Sequence, residues 1–501
     1  MSARNRWFLF FLTPLFCAVL LRIAIGGAPV FPTDDAYISL HSARHLGEAA
    51  DPSYTSSKPM TGATSPLHVF VLSAVMRAGV PPLWAVEGVT WLGAAAYLAG
   101  MASLILRRVS SKRDRILLMA LASIVCHTPM QLANGQETGW SMAAVTWGLN
   151  WVDTDARTRW RLPVLAGIMP WLRPDLLVFS AALVVQRWRS ARDRFFLDAG
   201  VTAFLVAAWL LADEHFVGAL VPNTLTAKRH FFAVYALPWH FIALMVVYRS
   251  IQFVGATGPA VIGLIHALRE EADRLAALSF IAVYGAIGLS AAIALDHNFF
   301  RYLHPLGVPA IIAGLCAMSA ARQALPAFWK SIWPLFLAAS VLYAVVYLPR
   351  RWGDFRRAQV VFAGMQGSVA KWLNANAPDA VVLVHDAGFL SEFTRTRLVD
   401  LVGLKTPRAA ALHRSITGPS AGADRPEAIH RLACETRPDF YVAWNQWETR
   451  FELTSGLQKY GWSTTPVMSN EVASPNGPQR VSLYRLTPSR RCATALPDGE
   501  N

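Results

Sequence analysis

Long runs of apolar residues are the dominant feature of this 501-residue chain. A bilayer core offers the backbone no hydrogen-bond partners, so a run of about 17–25 apolar residues has to cross it as a helix. Hydrophobic residues make up 54% of the chain and charged residues 16%, whereas soluble domains have about 45–50% and about 25%. The chain is therefore predicted to cross a membrane many times. Its clearest runs are Trp7–Gly27, Trp84–Leu106, Phe195–Leu211, Leu275–Leu295 and Ile332–Leu348.

The first apolar run follows two positive charges, Arg4 and Arg6. It is longer than the roughly 7–15-residue core of a signal peptide, and no small-residue cleavage site precedes Asp34. We expect an uncleaved first span, with the N-terminus in the cytoplasm of a bacterial cell.

Basic residues indicate the topology, because short cytoplasmic loops are enriched in Lys and Arg. The net charge of +14 is interpreted mainly as this orientation signal, and nucleic-acid binding is the poorer interpretation because the charges are spread over short loops. Pro66–Val80 is short enough to lie in the interface, and Phe231–Leu268 holds either one crossing with an interfacial helix or two crossings. The first choice gives about eleven spans, and an odd count places everything after Pro349 outside. The clusters assigned to the inside are Arg107 to Arg115, Arg157 to Arg161, Arg187 to Arg194, and Arg322 with Lys330.

Residues 349–501 differ from the rest in being rich in turns and in short strand-like runs. About 150 residues are enough to form a core of their own. The predicted fold is mostly α: a polytopic helical bundle over residues 1–348, with a first outer loop at 28–65 that carries interfacial helices, followed by a small extracytoplasmic α/β domain at 349–501. Its expected elements are a helix at Met365–Asn376 and strands at Ala380–Val384, Phe440–Trp444 and Val481–Arg485.

The five cysteines are weak indicators. Cys17, Cys126 and Cys316 lie within apolar runs, where a cysteine acts as a small core residue. Cys434 and Cys492 lie in the predicted outer domain, where oxidation is possible, and a disulfide between them is a hypothesis. No spacing of Cys and His resembles a zinc site, so neither a metal nor a cofactor is expected.

Polar residues with possible chemical roles concentrate in the loops that this topology places outside, which favours a reaction at the outer leaflet. Each also has a structural interpretation. Asp34 and Asp35 suit a helix start, Arg44 could be an arginine reaching the lipid interface, and Asn223 suits a turn. The other outward candidates are Glu137, Arg173, Asp175, Lys228, Asp296, His297, Arg301 and His304.

The order of several short motifs resembles the GT-C glycosyltransferases. The most similar branch is the mycobacterial terminal arabinofuranosyltransferase group and its bacterial relatives. The motifs are Asp34 to Ser39, Ser42 to Leu46, Thr61 to Leu67, Gly135 to Thr138, Arg173-Pro174-Asp175, Pro222-Asn223-Thr224 with Ala227-Lys228, Phe300-Arg301-Tyr302, His385 to Gly388, and Asp400 to Leu404.

The resemblance implies an inverting glycosyltransferase (EC class 2.4) that takes a sugar from a polyprenyl-phosphate donor. Arabinofuranose is the sugar that the relatives suggest, and the acceptor would be a hydroxyl of a cell-envelope glycan or glycolipid. A carboxylate must take the acceptor's proton, and Asp34 or Asp35 is the candidate. The leaving phosphate needs fixed cations, for which the order of preference is Arg301, Lys228 and Arg44. Acceptor or sugar contacts are assigned to Glu137, Arg173, Asp175, Asn223, His297, His304 and Asp386.

Two other classes stay open at this point. A polytopic transporter or lipid-linked-sugar flippase would have similar spans, but it usually carries ionisable groups near mid-span and internal repeats. A membrane-anchored assembly protein would use residues 349–501 as its working part. A divalent ion beside the acidic loop also occurs in some GT-C enzymes, although no ligand set here has a convincing spacing.

Overall fold

The computed structural model describes residues 28–54, 57–152, 160–190, 192–220, 222–322, 326–473, 478–488 and Cys492. The described chain is mostly helical. In order, its α-helices are Asp34–Arg44, Pro66–Arg77, Pro82–Arg108, Lys112–Ile124, Thr128–Gln131, Thr138–Val152, Arg161–Leu172, Leu177–Ser190, Phe195–Phe216, Thr224–Phe232, Trp239–Thr257, Ile262–Ala267, Glu271–Ala291, His297–Phe300, His304–Ala321, Ala327–Val360, Gly367–Asn376, Phe389–Phe393, Pro407–Leu412, Arg425–Thr436, Asn445–Phe451 and Leu453–Lys459.

Six helical segments of the described chain are long and apolar enough to cross a membrane, and they support the predicted multi-pass character. The predicted first span at Trp7–Gly27, Cys17, and the basic residues Arg157 and Arg159 lie outside the described residues. The count of eleven spans stays a prediction. The six segments are Pro82–Arg108, Phe195–Phe216, Trp239–Ala267, Asp273–Phe300, His304–Ala321 and Lys330–Asn376.

The chain forms two compact units. The first, here called the helical unit, consists mainly of Leu83–Leu211 and Ala243–Asp354. Two of its helices pack backbone to backbone, because a Cβ on Gly314 would collide with the Gly263 carbonyl oxygen. Cys126 and Cys316 are buried and unbonded, as expected of small core residues.

Buried ion pairs lie within the helical unit. Arg108 Nη1 lies 2.6 Å from Asp273 Oδ1, and Arg322 Nη1 lies 2.9 Å from Asp114 Oδ2. Both carboxylates are almost completely buried. These two arginines belong to clusters that the sequence explains by orientation alone, and the structure adds a packing role for each.

The second unit, here called the sheet unit, consists of Val30–Pro82, Ala212–Ile242 and Phe355–Asn501. Its five strands are β1 (Val381–Val384), β2 (Arg397–Asp400), β3 (Phe440–Trp444), β4 (Ser463–Val472) and β5 (Gln479–Thr487), in the sheet order β2-β1-β3-β5-β4. β1 is parallel to both β2 and β3, whereas β5 is antiparallel to β3 and β4. The predicted strands at Ala380, Phe440 and Val481 are confirmed as β1, β3 and β5, and the sequence missed β2 and β4.

The first outer loop packs against residues of the C-terminal segment. Leu398 N donates to Ser53 O at 2.8 Å, and the Tyr54 hydroxyl donates to Ala387 O at 2.7 Å. The sheet unit therefore contains residues from both sides of the predicted boundary at residue 348, because these hydrogen bonds join segments far apart in the chain. Whether residues 349–501 form a separate extracytoplasmic domain stays a prediction.

The structure joins Cys434 to Cys492 by a disulfide bond. The pairing that the sequence left as a hypothesis is therefore present.

Candidate functional site

Asp34 and Asp35 form the first turn of the helix Asp34–Arg44 in the sheet unit. The free amides of a first turn favour negative charge, so the two acids stabilise the helix start. The N-cap residue, Thr33, does not contribute a side-chain cap hydrogen bond. The structural interpretation as a helix start is therefore correct for both residues. Their surroundings differ, and that difference separates their roles.

Asp34 is held by the backbone of the motif His385 to Gly388. Its carboxylate accepts hydrogen bonds from Gly388 N at 2.7 Å and from Phe389 N at 2.8 Å, at the start of the helix Phe389–Phe393. Glycine is required at 388, because a Cβ would collide with Asp34 O and lie 2.7 Å from Ile38 N. Both oxygens of Asp34 thus have fixed partners.

Burial raises the pKa of Asp34 well above its ordinary value, and the nearby negative charge of Asp386 raises it further. The two backbone amides act in the opposite direction. Asp386 in turn lies within 3.3 Å of Trp447 Nε1 through both oxygens and 3.2 Å from His385 Nδ1. The structure therefore brings the predicted residues Asp34 and Asp386 into one cluster of carboxylates.

Asp35 keeps a more open carboxylate. Its side chain is 20% exposed, and Lys228 Nζ lies 3.8 Å from Oδ2. The sequence analysis placed Asp35 and Lys228 in different outward-facing loops, and the structure brings the two side chains together. A partly exposed carboxylate can accept a proton from a substrate hydroxyl, and the neighbouring ammonium group can contact a negatively charged leaving group.

Asn223 contacts the backbone of a neighbouring loop, and its predicted substrate contact stays a prediction. Its Nδ2 donates to Leu404 O at 3.1 Å. The loop that it holds turns at Gly403, where φ is +91° and glycine is the favoured residue. Asn223 thus fixes the end of the motif Asp400 to Leu404, whose Asp400 accepts from Val402 N and Lys405 N at 2.8 Å each.

Arg44 is not gathered with Lys228. It forms an ion pair with Glu392, whose side chain is almost completely buried. The structure gives Arg44 a partner that the sequence did not reveal, and its contact with a donor phosphate stays a prediction.

A buried charge network that sequence reasoning missed joins the first outer loop to β2 and its following loop. Lys405 Nζ lies 2.8 Å from Asp51 Oδ2, and both side chains are fully buried. His41 Nε2 donates to the other Asp51 oxygen at 2.9 Å. No local signal marks these residues, because the partners are 354 positions apart in the chain.

The buried Glu392 carboxyl gives a pH prediction. Burial raises its pKa to about 7, although the Arg44 charge opposes the shift. Between about pH 4.5 and 7 the folded state holds a proton that the unfolded state has lost, so stability falls as pH rises through this window. At pH 5, Glu392→Gln is expected to unfold at the wild-type temperature. At pH 8 it is expected to unfold at a higher temperature than wild type, because its free energy of unfolding is greater by at most about 3 kcal/mol.

Thermal unfolding at the two pH values measures this difference. Glu435→Gln, which removes a more exposed acid paired with Arg408, serves as the control and should show no such pH-dependent gain. Equal unfolding temperatures of Glu392→Gln and wild type at pH 8 would contradict the assignment.

The helical unit contains the second group of predicted residues. Glu137 Oε1 accepts from Arg301 Nη2 at 2.7 Å and from Arg173 Nη1 at 3.4 Å. Arg173 also forms a bidentate pair with Asp175, at 2.9 and 2.8 Å. Two buried guanidinium groups thus share the Glu137 carboxylate, and Asp175 balances the second positive charge. The structure brings these four residues together, and their contacts with donor, sugar or acceptor stay predictions.

The backbone before Arg301 is unusual. Asn298, Phe299 and Phe300 have φ of 49°, 62° and 60°, a left-handed conformation that costs about 1–3 kcal/mol for each such residue. Gln131 Nε2 donates to the carbonyls of Asn298 at 2.6 Å and Phe299 at 2.9 Å. Gln131 is a positioning residue that the sequence did not indicate.

His304, one of the two predicted histidines, is held by the protein itself at both ring nitrogens. His304 donates from Nδ1 to Phe300 O at 2.9 Å and accepts at Nε2 from His127 N at 3.3 Å. Both nitrogens are engaged, so the structural interpretation is correct for His304. His297 precedes the left-handed residues Asn298 to Phe300, and the neighbouring Asp296 pairs with Arg249. The substrate contact predicted for His297 stays a prediction.

Within the described residues, the one group of three side chains arranged to ligate a metal is His430, Cys434 and Cys492. The two cysteines form the disulfide, so neither offers a thiolate. The acidic residues around Asp34 do not form such a group. Metal and cofactor requirements therefore stay predictions from the sequence.

Comparison with solved structures establishes the fold. ArnT from Cupriavidus metallidurans, bound to undecaprenyl phosphate, superposes with a TM-score of 0.52 at 13% identity, and the match covers 96% of this chain and 98% of that chain. The chain shares the fold of ArnT. The mycobacterial group that the motifs suggested is not confirmed.

Other comparisons are weaker than the one with ArnT. The Archaeoglobus fulgidus oligosaccharyltransferase in the apo form matches with a TM-score of 0.49 and 14% identity, over 97% of this chain and 74% of that chain. A family model described as a domain of unknown function (DUF8728) matches residues 353–484. No curated protein matches the sequence.

Proposed function

We propose that this chain is a membrane glycosyltransferase that moves a sugar from a polyprenyl-phosphate donor to an acceptor hydroxyl. The observation that carries the proposal is the arrangement of Asp35, partly exposed and 3.8 Å from Lys228, next to Asp34, whose oxygens are held by backbone amides. The ArnT fold supports it, and that enzyme's structure contains undecaprenyl phosphate.

In the proposed reaction Asp35 is the general base. As the acceptor oxygen attacks the anomeric carbon, its proton passes to the Asp35 carboxylate, and the bond from that carbon to the phosphate oxygen breaks. The polyprenyl phosphate leaves with the bonding electrons, and the configuration inverts. Lys228 stabilises the negative charge on the leaving phosphate, and Asp34 fixes the helix start that presents Asp35.

The finer parts of the proposal come from the sequence motifs. The sugar is arabinofuranose, the acceptor belongs to a cell-envelope glycan or glycolipid, and the reaction lies on the outer face of the bacterial inner membrane. About eleven spans and an extracytoplasmic α/β domain at residues 349–501 complete this proposal. Arg301, with Arg173 and Glu137, is assigned to anion binding in the helical unit.

The test is transfer of radiolabelled sugar from a panel of polyprenyl-phosphate sugars, in membranes that contain the full chain and extracted cell-envelope acceptors. Wild type should form a glycosidic product from one donor. Lys228→Met should lower the rate by about 10²–10³-fold, because a fixed charge at the leaving group is removed. Lys459→Met, which removes an exposed lysine of the same unit, is the matched control and should transfer at the wild-type rate.

A transporter would give a different result. It would move the labelled lipid across the bilayer without forming a glycosidic bond, and neither lysine variant would change product formation. Movement of label without product from any donor would therefore overturn the proposed function.

A further inference from the structure

His385 follows β1 directly, at the edge of the sheet where three parallel strands end. β1 lies between β2 and β3 and is parallel to both, so the chain continues first to one side of β1 and then to the other. In open α/β sheets, ligands bind outside the carboxyl ends of the strands at such a reversal of strand order. The residues that follow β1 and β3 therefore occupy a position that suits a ligand.

The side chain of His385 is held in one orientation at this position. Its ring stacks on Trp447, from the helix that follows β3, with centroids 4.2 Å apart and an interplanar angle of 21°. The Phe231 ring lies 5.4 Å away at 69°. Asp386 Oδ1 lies 3.2 Å from His385 Nδ1, and Asp386 accepts in turn from Trp447 Nε1 at 3.2 Å. The imidazole cannot turn without breaking these contacts.

The second ring nitrogen of His385 is buried and unused. The side chain is 8% exposed, and Nε2 has no hydrogen-bond partner in the described part of the chain. A carboxylate accepts but does not donate, so Asp386 orients Nδ1 as the donor and leaves Nε2 as an acceptor in the neutral ring. A buried acceptor without a donor costs free energy. A ligand that donates a hydrogen bond to Nε2 would recover it.

The acidic groups around this nitrogen indicate which donor fits. Asp386 contacts the same ring, and Asp400 ends β2, the strand next to β1. Gly388 N, two residues after Asp386, donates to Asp34 at 2.7 Å. A phosphate would be repelled by neighbouring negative charge, whereas a neutral hydroxyl can donate to Nε2 without that cost. The site therefore suits a sugar hydroxyl.

Two contacts connect this site to the residues that we propose for catalysis. The motif that contains His385 also holds Asp34, the residue before the proposed base Asp35. Lys228, 3.8 Å from Asp35, lies one helical turn before Phe231, whose ring contacts that of His385. Both contacts lie within the sheet unit. The molecule whose hydroxyl meets Asp35 is the acceptor, so the acceptor is the ligand expected beside His385.

We propose that His385 Nε2 accepts a hydrogen bond from a second hydroxyl of the acceptor sugar, and that Asp386 positions the ring for this contact. This role rests on the proposed function, in which Asp35 takes the proton of the reacting hydroxyl. His385 takes no proton in the reaction. It selects a neutral acceptor that carries a second hydroxyl at the right distance from the first.

A binding experiment without donor tests the contact apart from catalysis. The full chain in detergent is titrated with methyl glycosides of arabinofuranose, galactofuranose, mannopyranose and glucopyranose, and with the monodeoxy analogues of the one that binds. Binding is followed by saturation-transfer-difference NMR. Removal of one hydroxyl should weaken binding to wild type about three- to tenfold, the contribution of a neutral hydrogen bond.

Two variants of His385 locate that hydrogen bond. His385→Asn keeps a donor toward Asp386 but has no atom at the position of Nε2. It should bind the parent glycoside about three- to tenfold more weakly than wild type, and it should bind the critical monodeoxy analogue no more weakly than the parent. His385→Gln can place its amide oxygen near the position of Nε2, so it should bind more tightly than His385→Asn.

The matched control is His240→Asn, which shortens an exposed histidine of the same unit and should bind like wild type. Thermal unfolding checks that each variant is folded, and the monodeoxy series on wild type needs no variant. The proposal is overturned if wild type binds none of the glycosides, if no single hydroxyl matters, or if folded His385→Asn binds like wild type. Inorganic phosphate forms a further arm: phosphate that displaces the glycoside from wild type but not from His385→Asn would assign the site to an anion instead.

Sugar transfer by the same variants separates this proposal from the proposed function. His385→Asn should raise the KM for extracted cell-envelope acceptor about three- to tenfold and leave the KM for the donor unchanged. Intact transfer with an unchanged acceptor KM would overturn the role of His385 and leave the proposed function standing. Glycoside binding that depends on His385, together with no transfer from any donor, would overturn the proposed function and leave the hydroxyl contact standing.

Discussion

Asp35→Asn is expected to lower the rate of sugar transfer by about 10²–10⁴-fold, the range that a positioned general base contributes. The amide keeps the size of the side chain but cannot accept the acceptor's proton. Asp35 is partly exposed and the amide is nearly the same size as the carboxylate, so the variant should unfold near the wild-type temperature. Donor binding should also persist.

Asp34→Asn should lower the stability of the protein and change the rate of sugar transfer much less than Asp35→Asn does. Its two oxygens accept from Gly388 N and Phe389 N, and an amide would place a donor against one of these donors. A buried unsatisfied group costs about 1–3 kcal/mol. We expect a lower unfolding temperature, with the transfer rate per folded molecule within tenfold of wild type.

Measuring the transfer rate per folded molecule and the unfolding temperature for both variants separates the two roles. If Asp34→Asn abolishes turnover at an unchanged unfolding temperature while Asp35→Asn stays active, the assignments are reversed. If both variants remain active, the acidic pair is only a helix start, and the proton acceptor lies elsewhere.

Lys405→Met should produce the largest loss of stability among single changes in the sheet unit. The substitution keeps most of the side-chain volume but leaves Asp51 as a fully buried carboxylate without its 2.8 Å ammonium partner. Breaking a buried ion pair in this way costs about 3–5 kcal/mol. Chemical or thermal unfolding followed by the fluorescence of the sheet unit's tryptophans measures the change.

Two further variants test whether the broken ion pair causes the loss of stability. Arg408→Met removes one partner of a pair in which the arginine side chain is 59% exposed, and such pairs contribute about 0–1 kcal/mol. The double variant K405M/D51N removes both buried charges and should recover part of the lost stability. A double variant that is as unstable as the sum of the two single changes would show that the charges act independently.

Much of the architecture could be predicted from local patterns. Apolar runs indicate spans because the bilayer forces helices, and Phe440–Trp444 is a strand because five apolar residues are bounded by polar ones. β2 was missed because Arg397 to Asp400 is short and looks like a loop. β4 was missed because its half-exposed residues include Pro466 and show no apolar alternation.

The sequence indicated which residues belong to the candidate site, but not the role of each residue. Adjacent acids in an outer loop pointed to Asp34 and Asp35, yet only packing shows that Gly388 and Phe389 hold the first and leave the second open. Lys228 and Arg44 were both candidates for binding the leaving phosphate, but Arg44 pairs with Glu392. Partners hundreds of residues apart leave no mark in a single sequence.

The pairing of Asp51 with Lys405 has a consequence for how the protein is made. The partners are 354 positions apart, and ribosomes add about 5–20 residues each second. The first loop therefore waits roughly 20–70 s after its own synthesis before its buried partner exists. During that interval the carboxylate of Asp51 and the hydroxyl of Tyr54 must stay hydrated, or a chaperone must bind the loop. A nascent chain that stops before Lys405 would expose this loop to proteolysis, even though every residue of the loop has already been made.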